Sequence, residues 1–172
     1  ANNSRIVRTK GTPESTDWTE IAGLVNGLTV LDGVPLFTVM PSSRTLELWT
    51  VNKSNGEARI IKDAIPYSLL TRPRFRPEHA TLGQHLYFQA ENRFLWKSDG
   101  TTEGTVALSL PEGMQNPRGL HTVREKVFFL ADREDDSTTE ILFIDAAGEI
   151  QSANVHLSPQ DAVVTLTYDD RY

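Results

Sequence analysis

One feature narrows the folds open to this chain: it repeats itself. Phe94-Leu95-Trp96-Lys97-Ser98-Asp99-Gly100-Thr101-Thr102-Glu103-Gly104-Thr105 has a partner in Ile6-Val7-Arg8-Thr9-Lys10-Gly11-Thr12-Pro13-Glu14-Ser15-Thr16. Degenerate copies run from Leu46-Glu47-Leu48-Trp49 to Asn55-Gly56, and from Glu140-Ile141-Leu142-Phe143 to Ala147-Gly148. Each reads as a strand, a tight glycine turn and a second strand. Asn55-Gly56 is a type I′ hairpin signal, because both central residues must take positive φ. A second element alternates with the first. Thr29-Val30-Leu31-Asp32-Gly33-Val34, Thr81-Leu82-Gly83-Gln84-His85 and Thr122-Val123-Arg124-Glu125-Lys126 each read as two short strands around a turn. A weaker fourth copy is expected in Ala162-Val163-Val164-Thr165-Leu166-Thr167-Tyr168.

Val7, Trp49, Trp96 and Phe143 mark the period, at spacings of 42, 47 and 47 residues. Two hairpins in about 45 residues make four strands, the size of one β-propeller blade. The short runs Val34–Val39, His85–Ala90 and Lys126–Ala131 are rich in aromatic and branched residues, as strands are. No long window carries a helical stripe. The expected fold is all-β: a small β-propeller of about four blades, each of four short antiparallel strands. Its units are approximately 22–62, 63–109 and 110–153, and 154–172 completed by 1–21. Pairing of the N- and C-terminal strands would close the ring and hide strand edges that otherwise template aggregation.

Composition sets outer limits. The absence of cysteine excludes disulfides, thiolate metal sites and a cysteine nucleophile. A net charge of −6 argues against a general polyanion binder, though not against a local basic patch. No apolar run approaches the roughly 18 residues of a membrane helix. The expected partner is therefore neither nucleic acid nor a bilayer interior.

The repeat resembles one carried by many large secreted bacterial proteins, whose units end in Glu-Leu-Trp-x-Ser-Asp-Gly-Thr-x-x-Gly-Thr after an Asn-Pro-x-x-Leu…Leu-Tyr-Phe-x-Ala segment. Leu95–Thr105 matches almost fully, with Phe94 in place of Glu. Glu47-Leu48-Trp49, Leu86-Tyr87-Phe88-Gln89-Ala90, Asn116-Pro117-Arg118-Gly119-Leu120 and Phe128-Phe129-Leu130-Ala131 match parts of further units. The resemblance implies a propeller-like, extracellular or periplasmic protein and no fixed catalytic residues. The Ser-Asp-Gly-Thr core is intact only in the unit at 63–109, so a role for that turn shared by all units is not expected. The opening Ala1-Asn2-Asn3 fits a trimmed secretion signal or an excised segment.

Several residues are candidates for binding. Arg72, Arg74 and Arg76 alternate along the densest basic segment, and Arg118 sits at a comparable place in the next unit. Together they would recognise carboxylated glycans or an acidic protein surface; the plainer reading pairs them with local acids such as Glu78 and Asp63. Trp18 lies off the aromatic register and is the candidate exposed aromatic. Trp49, Trp96 and Phe143 are expected as a packing layer between units. Asp99 is a weak cation candidate in its turn, although such an Asp more often satisfies backbone N–H groups. Asp132, Asp135 and Asp136 are the other weak candidates, for Ca²⁺, without the spacing of an EF-hand loop. Otherwise no metal or cofactor is expected. No histidine pair has metal-binding spacing, and no catalytic motif is present. The expected function is a non-catalytic interaction module presenting propeller-face loops to a protein or glycan. The alternatives are a carbohydrate-active hydrolase using carboxylates on a propeller face, or half of a larger propeller formed by homodimerisation.

Overall fold

The structure, a computed structural model, describes residues 3–8, 12, 14, 16–52, 54–67, 78–91, 93–135 and 138–158. It is all-β: among the described residues there is no α-helix, and no helix long and apolar enough to cross a membrane. Strands β1 (Asn3–Arg8) and β2 (Asp17–Ala22) form a two-stranded sheet. Three four-stranded sheets follow, and in each the strands neighbour one another in chain order. The first holds β3 (Leu24–Leu31), β4 (Val34–Met40), β5 (Thr45–Val51) and β6 (Ala58–Pro66). The second holds β7 (His79–Leu82), β8 (His85–Glu91), β9 (Phe94–Ser98) and β10 (Val106–Ser109). The third holds β11 (Met114–Val123), β12 (Lys126–Arg133), β13 (Thr139–Ile144) and β14 (Ile150–Leu157). Strands β6 and β14 thus run past residues 62 and 153. The segment Ala162–Tyr168 lies outside the described residues, as do Arg72, Arg74, Arg76 and Asp136.

The chain divides into two compact units. Ala1–Pro77 with Ser98–Val106 form one, and Glu78–Lys97 with Ala107–Tyr172 form the other. In the first, Ile6 and Ile21 on one face of the β1–β2 hairpin join Phe37, Val39, Val51 and Trp49 in a single cluster. Alternation explains the choice of side chains. Opposed residues of an antiparallel pair share a face, so the pairs Val7↔Trp18 and Arg5↔Glu20 point away from that cluster. The Ser4 hydroxyl ties the hairpin to β3, donating to the Gly23 carbonyl at 2.9 Å and accepting the Val25 N–H at 3.2 Å. In the second unit Tyr87 and Leu95 pack with Leu120, Val127, Phe129, Leu142 and Ile144. Burying each such side chain contributes about 1.5–3 kcal/mol.

Equivalent strands carry equivalent aromatic pairs within a sheet, and Trp49 also packs in the cluster that the β1–β2 hairpin shares with the β3–β6 sheet. Phe37 stacks on Trp49 and Phe88 on Trp96, both with ring centroids 6.4 Å apart. Phe143 does not continue this series. Counting from the hairpin tip, Phe129 is the equivalent of Phe37 and Phe88, and the residue opposite it is Leu142. Phe143 instead opposes Phe128, on the other face of the sheet. The tryptophan position of the last unit is therefore Leu142, and Glu140 aligns with Glu47.

That alignment exposes a difference between the two tryptophans. Trp49 Nε1 donates to Glu47 Oε2 at 2.8 Å. Phe94 stands where Glu47 does, and the buried Trp96 Nε1 has no hydrogen-bond partner among the described residues. A buried donor without an acceptor costs about 1–3 kcal/mol. Replacing Trp49 by Phe should therefore lose a hydrogen bond worth about 1 kcal/mol that Trp96→Phe does not lose. Urea unfolding of both variants, with a Glu47→Ala/Trp49→Phe double-mutant cycle, measures the difference. A zero coupling energy would contradict it.

Candidate functional site

The Ser-Asp-Gly-Thr motif of the 63–109 unit is consumed by its own turn. Asp99 Oδ1 accepts the Thr101 N–H at 2.9 Å and the Thr101 hydroxyl at 2.7 Å. Ser98 Oγ accepts the Gly100 N–H at 3.1 Å and shares a hydrogen bond with Thr105 Oγ1 at 2.8 Å. Thr101 Oγ1 accepts the Gly104 N–H at 2.9 Å, and Thr102 donates to the Ile61 carbonyl at 2.9 Å. A Cβ on Gly104 would overlap the Asp99 carboxylate, which explains the glycine.

The turn's role extends further than its letters. Asn52 Oδ1 accepts the Ser54 N–H, and Asp145 Oδ1 accepts the Ala147 N–H, each at 2.9 Å. Asn52, Asp99 and Asp145 lie three residues after Trp49, Trp96 and Leu142. All three sheets thus lock the turn before their last strand by one Asx bond to the N–H two residues on. What these three sheets share is this side-chain oxygen, not the Ser-Asp-Gly-Thr string; three residues after Val7, the N-terminal repeat has Lys10, which carries no such oxygen.

Arg118 is held by an acid of its own sheet. Its Nη2 lies 2.7 Å from Asp132 Oδ1 and 3.0 Å from Thr139 Oγ1, and Nη1 donates to the Asn116 carbonyl at 3.2 Å. Thr139 and Asn116 also donate to Asp132, at 2.8 and 3.3 Å. Burial alone would raise the Asp132 carboxyl's pKa. Hydrogen bonds from Arg118 and Thr139, the Arg118 charge and the Asn116 amide outweigh it and hold the group below the usual carboxylate range. The rest of the Asn-Pro-Arg-Gly-Leu motif is equally engaged. Gly119, at φ 69°, and Leu120 both donate their backbone N–H to Glu78 Oε2. The acid suggested as a partner of the arginine row thus receives two β11 amides.

Trp18 is outward and 55% exposed, with the Arg5 guanidinium 4.4 Å from its ring centre. Asp135 is exposed near the β12–β13 turn, while its neighbour Glu134 pairs with Arg93. Among the described residues, no three His, Asp or Glu side chains gather where they could hold a metal ion.

A further feature lies at the β11–β12 tip. An open cavity of about 650 Å³ is lined by Val123, Arg124, Glu125, Lys126 and Phe128. Lys126 Nζ stands 3.9 Å over the Phe143 ring, and Phe143 meets Phe128 at 5.6 Å. The available signal was the basic-acidic-basic run Arg124-Glu125-Lys126 at a position where the sister hairpins have Asp32-Gly33-Val34 and Gly83-Gln84-His85.

Two outcomes follow from the polar locks. Gly104→Ala should destabilise by about 1–3 kcal/mol through overpacking, and by less in an Asp99→Ala background; equal losses in urea titrations would exclude the clash. The lowered pKa of Asp132 contributes stability above the ordinary carboxylate pKa of about 4, and that stability is lost as pH falls through the folded value. Asp132→Asn should therefore flatten the acid limb of a stability–pH curve, and an unchanged limb would exclude the linkage. No protein-family model matches the chain and no curated protein matches it, so the reading of these sites rests on their own geometry.

Proposed function

We propose that this chain is a non-catalytic interaction module, built as a small closed β-propeller, whose hairpin tips contact a protein or glycan partner outside the cytoplasm. One observation carries the reading. The β3–β4, β7–β8 and β11–β12 hairpins share a loop length of two residues, closed by Leu31↔Val34, Leu82↔His85 and Val123↔Lys126. Their tips nevertheless differ in chemistry: Asp32-Gly33, Gly83-Gln84 and Arg124-Glu125. A constant frame with variable tips is how repeat scaffolds present recognition loops.

Two further points support the closed form. Three sheets have four strands, and the β1–β2 sheet has two. The alternating segment Val164-Thr165-Leu166-Thr167-Tyr168 has the pattern of a strand that would extend the smaller sheet. Secretion rests on the resemblance of the Leu95–Thr105 repeat to units of secreted bacterial proteins. Trp18 and the Arg72, Arg74 and Arg76 row join the tips as contact residues in this reading.

The test is a glycan array and a peptide display screen on the intact chain. The control carries neutral tips that suit each turn's backbone: Asp32→Asn, Gln84→Ser, and Arg124→Gly with Glu125→Ser. Binding should fall by at least about tenfold, or 1.4 kcal/mol, while the melting midpoint holds. A ligand bound equally by both proteins would overturn the tip reading.

A further inference from the structure

We infer that the β11–β12 tip is a binding pocket for a small monocarboxylate carried on an apolar, preferably aromatic, body. This rests on the reading of hairpin tips as recognition loops and names the ligand class of one of them.

The volume is suitable: about 650 Å³ falls within the range of small-molecule sites. The charge is suitable for one negative charge. Arg124 and Lys126 against Glu125 give 2 − 1 = +1 in a chain of net −6. A dianion would meet Glu125 with its second charge. Lys126 is also positioned in advance, since its ammonium rests on the Phe143 ring at 3.9 Å. A cation held by a ring face has less freedom to lose when an anion arrives.

The apolar part of the ligand has its own surface. Phe128 occupies the strand position filled by Leu36 and Tyr87 in the sister hairpins, which are 0% and 1% exposed. Phe128 itself is only half-buried and lines the cavity. An aromatic ring uncovered beside two cations suits an amphipathic acid better than a free inorganic anion.

Phenylacetate is the probe, phenylacetamide its neutral counterpart and phenyl phosphate the dianion. Amide chemical shifts of the intact chain report where each binds. Phenylacetate should saturate shifts of Val123–Phe128 with a Kd near or below about 1 mM, at least about tenfold tighter than either analogue. Lys126→Glu should abolish that saturation, and Lys126→Gln should weaken it with an unchanged melting midpoint. Charge reversal on another sheet, Lys62→Glu, should leave it intact. No saturation by about 10 mM, equal binding of phenylacetamide, or binding indifferent to both Lys126 variants would overturn the pocket. Failure here with array binding still lost in the tip-replaced control removes only this ligand class. Array binding that survives the tip replacement removes the broader reading instead.

Discussion

Three side-chain oxygens, on Asn52, Asp99 and Asp145, each take the backbone N–H two residues on, and the outer strands depend on them. An outer strand has a neighbour on one side only, so its register is weakly specified. A locked turn removes the freedom to slip. With the turns set, β6 and β14 fall where their alternate residues meet β5 and β13. The remaining motif residues, from Ser98 to Thr105, reinforce the same lock in the one sheet that has them all.

Charge serves the frame in a similar way. Arg118 and Asp132 neutralise one another beside Thr139, and Glu78 closes on two amides of the irregular strand β11. Strand β11 departs from regular pairing on either side of Arg118, and Asn116 and Gly119 both take positive φ there. Backbone groups released by such a bulge need partners, and the Glu78 carboxylate supplies one. Arg118, which resembles part of a recognition patch in the linear sequence, thus fastens strands. The tips, freed from that duty by a uniform two-residue loop, are where chemistry varies.

Strand identity and the four-strand unit were legible because alternation and turn residues are local signals. Asp99 was legible as a turn residue for the same reason. The register of the last unit was not. Leu142 and Phe143 are adjacent and both apolar, so sequence alone leaves either one to take the tryptophan's place; Phe129 opposite Leu142 decides it. The Arg118–Asp132 pair was equally hidden, since 14 residues and a hairpin separate the partners and charge alone favours no one acid. The tip cavity needed three dimensions: Phe143 supports Lys126 from the neighbouring strand.

The three tryptophans end in three different electrical settings. Trp18 lies under a guanidinium, Trp49 gives its indole proton to a carboxylate, and Trp96 is buried with no acceptor among the described residues. Excited indoles relax by reorienting nearby dipoles, and the three surroundings offer very unequal means of doing so. The chain therefore carries its own spectroscopic ruler, with Trp96 emitting bluest, Trp18 reddest and every sheet but β11–β14 readable by colour.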